Sequence, residues 1–102
     1  MPRNNAEHLP VKYGIDFYHG SFTNKSCGHI DTTSPLAQSI HVGDYFSRMS
    51  VDNFGAGIDV PHQHVLKVTG VLHNLWKIEG KHIGHSVSVC LQAVPTPADL
   101  FP

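Results

Sequence analysis

The chain has 102 residues, of which 40% are hydrophobic and 15% charged, with a formal net charge of −1. It is too apolar and too weakly charged for a disordered segment, and its apolar runs are too interrupted to span a membrane, so a single soluble globular domain over residues 1–102 is expected. The seven Lys and Arg are scattered from Arg3 to Lys81 and form no basic patch, so neither nucleic acid nor a membrane surface is an expected partner.

The opening MPRNNAEHLP lacks the uninterrupted apolar core of a secretory signal, which makes cytoplasmic residence the expectation and leaves residues 1–10 loosely ordered. In a reducing compartment Cys27 and Cys90 are expected as free thiols. The first patterned element is VKYGIDFY, residues 11–18, where β-branched and aromatic residues predict a strand. Residues 20–33 are rich in Ser, Thr, Asn, Gly and Lys and read as loop. Ser34 before Pro35 then supplies a helix start for a short turn at Leu36, Ala37 and Gln38. His41, Val42, Gly43 and Asp44 lead into a second strand predicted over residues 45–51, and DNFGAGIDVP, residues 52–61, is a connection built on Gly and Pro.

Residues 63–94 carry the strongest pattern and four of the nine histidines. Leu66, Val68, Leu72, Trp76 and Ile78 share one parity, and Lys67, Thr69, His73 and Lys77 the other, which predicts a strand burying its even-numbered side. Val65, Val71 and Leu75 break the alternation around Gly70, so a bulge or sharp bend belongs there, or the odd apolar residues make a second contact surface. After a turn at Glu79 to Gly84, the last strand alternates Val87, Val89, Leu91 and Ala93 against Ser86, Ser88, Cys90 and Gln92. Residues 43–94 are thus the predicted β core. Thr96, Pro97 and Asp99 suit one capped helical turn, and Leu100 and Phe101 are expected to dock on a neighbouring surface. The predicted fold is mainly β, a small antiparallel sheet or partly open barrel with one or two short helices, α+β being the variant.

Two clusters could carry chemistry. Asp59, His62 and His64 form a candidate divalent-metal set, because two imidazoles two residues apart on a strand point to the same side. The Pro61, His62 and His64 spacing resembles the first half of the cupin histidine motif, which implies a metal-dependent enzyme. The motif's glutamate, however, would fall at Val68 or Thr69, and its glycine-proline second half is absent. Trp76, Glu79, His82 and His85 form the second cluster, an aromatic wall beside polar groups at a hairpin turn, which is the usual composition of a ligand pocket. The lone Gly-x-Gly at residues 55–57 is too short for a nucleotide loop, and no Gly-x-Ser-x-Gly or Cys-x-x-Cys is present.

From Val42, Gly43 and Asp44 onward, and most clearly over HNLWKIEGKHIGH at residues 73–85, the chain resembles small uncharacterised proteins encoded on bacterial integron gene cassettes. That resemblance implies a compact β-rich or α+β bacterial protein, often oligomeric, with no activity to carry over residue by residue. The leading expectation is therefore a homodimeric module without a cofactor that binds a small molecule or a partner near Trp76. The alternatives are a cupin-like enzyme holding one divalent metal ion through His62, His64 and one of Asp59, Glu79 or His85, and a structural adaptor.

Overall fold

A computed structural model of the chain describes residues 8–53 and 57–100. The fold is mainly β, a single five-stranded sheet curled into a half-barrel. Its strands are β1 (Val11–His19), β2 (Gly28–Thr32), β3 (Tyr45–Phe46), β4 (His64–Ile78) and β5 (His82–Pro95), in the order β2-β1-β5-β4-β3. The long hairpin β4–β5 is antiparallel, as the pattern predicts. β1, however, lies parallel to β5, pairing Val11 with Ile83 through His19 with Leu91, so the sheet is mixed.

Two local elements differ from the sequence reading. Residues 20–33, read as loop, contain β2, whose alternation of His29 and Asp31 with Ile30 and Thr32 is too short and too polar to stand out. The strand predicted over 45–51 stops at Phe46, and a six-residue helix α1 (Arg48–Asn53) follows. Ser47 starts it: the Ser50 backbone N–H donates to both the Ser47 carbonyl and its hydroxyl, at 3.1 and 3.3 Å. The predicted turn at Leu36 is present as a 3-10 helix, Leu36–Ser39, but Pro35 and not Ser34 stands at its N-cap and no side chain caps it. At the C-terminal end the Leu100 N–H closes a single turn onto the Pro97 carbonyl at 3.1 Å, and Phe101 lies outside the described residues.

The core collects on one side of the sheet. Ile15 and Phe17 from β1, Val87, Val89 and Leu91 from β5, and Leu66 and Val68 from β4 are buried there, closed over by Ala37, Ile58 and Val60 from the connections. The bulge expected at Gly70 is real, and it decides the fate of the rest of β4. Val68 pairs with Leu91 but Gly70 pairs with Cys90, so Thr69 is the extra residue. An inserted residue reverses which parity faces the core. Beyond it Val71, not Leu72, packs against the core, opposite Val89. The even residues predicted as buried, Leu72, Trp76 and Ile78, are instead 51%, 45% and 40% exposed, on the opposite side of the sheet. Phe22 lies across Gly70, where a Cβ would come within 2.8 Å of its ring, so this position accepts no side chain without displacing the phenyl group.

Candidate functional site

The sheet face away from the core holds the chemistry. The register brings Asp31, Gly14, Ser86 and Asn74 into one row across β2, β1, β5 and β4, and His29, Asp16, Ser88 and Leu72 into the next. A third row begins at Lys12 and runs through Gly84 to Trp76. The middle of this grid is made of Gly14, Gly84, Ser86 and Ser88, the smallest side chains available, and larger groups rise on both sides. The result is a cleft of about 630 Å³, open to solvent. Its floor includes Gly14 and Ser86, and Asp16, His29 and Asp31 form one wall, with Lys12, Trp76 and His82 at the other.

The polar wall is tightly organised. His29 Nδ1 lies 2.6 Å from Asp16 Oδ1, directly across the β1–β2 pair, and its Nε2 lies 2.7 Å from Asp31 Oδ1. The absence of a side chain at Gly14 lets the ring lie between them, since a Cβ there would sit 3.2 Å from His29 Cε1. Both ring nitrogens face carboxylates, and only the imidazolium can donate to both. The hydrogen bonds to Asp16 and then Asp31 raise the His29 pKa above its ordinary value, outweighing the small opposing effect of burial. The Ser86 hydroxyl donates to the other Asp16 oxygen at 3.0 Å, and the Asn74 amide donates to the Ser88 hydroxyl at 3.3 Å. These contacts are how two nearly buried serines satisfy their polar atoms on an open sheet face.

This geometry constrains the chemistry. A serine nucleophile needs a base with a free lone pair within hydrogen-bond reach. Ser86 instead donates to a carboxylate, and neither nitrogen of His29 is free to accept its proton. In this arrangement Ser86 is hydrogen-bonded to a carboxylate and not to a histidine nitrogen.

Trp76 forms the apolar wall. Its indole lies on Gly84, its direct partner on β5, so closely that a Cβ at that glycine would overlap the ring. One face of the indole is covered by backbone and the residue as a whole stays 45% exposed. Trp76 is therefore a wall and not a core residue.

The four residues expected to share one site at the hairpin turn are divided. Trp76 and His82 both line the cleft. His85, three residues on from His82, points to the other face, where its Nε2 lies 3.0 Å from His73 Nδ1 and its ring meets Tyr13 edge-on. Glu79 stays in the turn, its carboxylate 3.6 Å from the Lys77 ammonium. Sequence reasoning did not join Asp16, His29, Asp31 and Ser86, because they come from three strands that only the sheet brings together. The one local signal available was the alternation of His29 and Asp31 with Ile30.

The shared strand assumed for His62 and His64 is not present. β4 begins at His64, and Gln63 has a left-handed backbone, φ 60°, which ends the alternation that would align the two rings. His64 Nδ1 is 2.8 Å from the His62 carbonyl oxygen, and Asp59 is exposed in the preceding connection. Among the described residues, no three His, Cys, Asp or Glu side chains are grouped so as to hold a metal ion. Neither cysteine is in a disulfide; the Cys27 thiol donates to the Phe17 carbonyl at 3.3 Å, and burial pushes its pKa up. None of the described helices is long and apolar enough to cross a membrane. Comparison with protein families, with curated proteins and with solved structures gives no match for this chain.

Proposed function

We propose that this protein is a small-molecule-binding module whose ligand occupies the cleft between Trp76 and the Asp16–His29–Asp31 wall. The observation that carries the reading is the pairing of a half-exposed indole with an organised polar wall across a floor of small residues. Such a composition supplies one apolar surface and a few fixed hydrogen-bonding groups, which is what orients a small ligand. Asp31 keeps a largely exposed carboxylate that can accept from the ligand, while Lys12 and His82 stand at the tryptophan side. The fitting ligand is a small polar molecule with one flat or apolar side and both donor and acceptor groups. His29 serves as a positioning residue: it neutralises part of the acidic wall and holds Asp16 and Asp31 in place.

The test is a two-dimensional amide NMR screen of the whole chain against sugars, amino acids, nucleosides and small carboxylates, with the fluorescence of the single tryptophan followed in parallel. Saturable shifts centred on Gly14, Ser86 and Gly84, weakened in Asp31→Asn, are expected. A screen with no saturable shift at any of these amides, or one whose shifts map to the core side of the sheet around His85 and Tyr13, overturns the reading.

A further inference from the structure

Among the described residues, no strand pairs with the outer edge of the second half of β4. β3 pairs only with Leu66 and Lys67, and the last contact on that side is between Val68 and the Gly43–Asp44 backbone. Among the described residues, no strand lies beside β4 after Val68, although the strand continues to Ile78. The Ile83 N–H bonds to Pro10 and the Gly20 N–H to the Leu91 carbonyl, so odd-numbered residues of β5 turn their backbone groups toward β1 and even-numbered ones toward β4. Through the register of the hairpin, Leu72, Asn74 and Trp76 therefore bond inward to β5, and Val71, His73 and Leu75 direct their N–H and C=O groups outward. Natural edges are usually blunted by proline, bulges or several charges. Over residues 70–78 this one has a single lysine, no proline, and four large apolar side chains, Leu72, Leu75, Trp76 and Ile78, each 40% exposed or more.

We infer that this edge pairs with the same edge of a second copy of the chain, antiparallel about a two-fold axis at Asn74, giving a continuous ten-stranded sheet in which each of the two copies contributes five strands. A two-fold axis normal to the sheet keeps each face on its own side, so residues meet only residues of their own parity. Three registers are then centred on the edge. Centring on His73 sets that histidine against itself, and centring on Leu75 sets His73 against Lys77 of the second copy. Centring on Asn74 avoids both: Leu72 meets Trp76, His73 meets Leu75, and Val71 meets Lys77. Aliphatic and aromatic side chains facing each other across strands are the favourable pairs of an antiparallel sheet.

The pairing also bears on the cleft. Leu72 of the second copy lies opposite Trp76 on the cleft side of the sheet, so each copy extends the apolar wall of the other. The paired edge is roughly 30 Å long and about 10 Å thick, hiding on the order of 300–400 Å² per copy. That is at most about half of the roughly 800 Å² per partner of a standard stable interface, so the dimer is reversible and concentration-dependent. This inference rests on the edge alone and does not depend on ligand binding.

The test combines sedimentation with one cross-link. At the two-fold centre Asn74 faces itself in a non-hydrogen-bonded pair, where Cα atoms lie about 4.5 Å apart, within disulfide reach. Asn74→Cys under mild oxidation should give a reducible dimer that neither the wild type, with its own Cys27 and Cys90, nor Leu75→Cys forms at the same rate. Sedimentation of the wild type should show monomer giving way to dimer between low micromolar and near-millimolar concentration. Leu75→Pro should remain monomeric with an unchanged circular dichroism spectrum, because its N–H points away from β5. Should the proline variant misfold, Leu75→Lys, at a 71% exposed position, serves the same purpose. A wild type that is monomeric throughout, a dimer that survives both Leu75 variants, or open-ended polymers of the kind expected if β4 pairs with the β2 edge would each overturn the inference.

Discussion

Gly84→Ala is the sharpest perturbation of the cleft, because the added methyl would occupy the place of the Trp76 indole. The glycine is buried and its φ is not in the left-handed region, so the backbone itself accepts alanine. The cost must come from displacing the ring. A fully buried aromatic side chain hides roughly 150–250 Å², and Trp76 is 45% exposed, so just over half of that area is at stake. About 100 Å² at about 25 cal/mol per Å² sets an upper bound near 2.5 kcal/mol. Replacing glycine inside a strand returns roughly 0.5–1 kcal/mol of unfolded-state entropy. The net destabilisation is then at most about 1.5–2 kcal/mol, which lowers Tm by no more than about 6–16 °C in a domain of this size. Urea unfolding followed by far-ultraviolet circular dichroism measures the loss in any background, and the native tryptophan emission of Gly84→Ala should move to the red as the ring leaves its seat. The decisive comparison is the same substitution in a Trp76→Ala background. There the overlap is gone, and Gly84→Ala should be neutral or stabilising by up to about 1 kcal/mol. An equal cost in both backgrounds would mean that Gly84 is needed for some reason other than the indole, and the description of the cleft wall would fail.

Two further predictions test the register and the charge pattern. Leu66→Ala, at a fully buried position before the bulge, should cost about 2–5 kcal/mol, whereas Leu72→Ala, of the same parity but after the bulge, should cost under about 1 kcal/mol in the monomer; equal losses in chemical denaturation would contradict the parity reversal at Thr69. For His29 the sign follows from a folded-state pKa raised above the ordinary value of 6.5. Its stabilisation is complete below pH 6.5 and is lost as the pH rises through the folded-state value, so the Tm gap between wild type and His29→Gln should be widest in mildly acidic buffer and narrow on the alkaline side; a gap that widens with rising pH would refute the ion-pair geometry.

The long hairpin was legible in the sequence because it is made of local pairings whose signals lie on the chain itself. Alternation marks the strands, Glu79 and Gly80 mark the turn, and the clash of parities around Gly70 marks the bulge. β1 was legible for the same reason, through its aromatic and β-branched residues. β2 was not, since a five-residue edge strand with one partly buried apolar residue offers too little contrast with loop. α1 was missed because its start signal, Ser47, sits beside a two-residue strand and aromatic residues that suit a longer one.

The candidate site divides along the same line. Trp76 stood out as the single tryptophan beside a polar turn, and His82 accompanied it into the cleft. His85 was separated from them by the period of two, which sends residues an odd number apart to opposite faces. Asp16, His29, Asp31 and Ser86 could not be joined from the chain alone. Asp16, His29 and Asp31 meet through the pairing of β1 with the unrecognised β2, and Ser86 joins them because β1 lies parallel to β5, a contact between distant parts of the sequence with no turn to announce it. The hydrophobic pattern by itself determined that the protein is mainly β and that the β4–β5 hairpin is its centre. Tertiary structure decided which side of β4 is buried, because one inserted residue exchanges the two faces, and it decided the site, because strand order sets which side chains become neighbours.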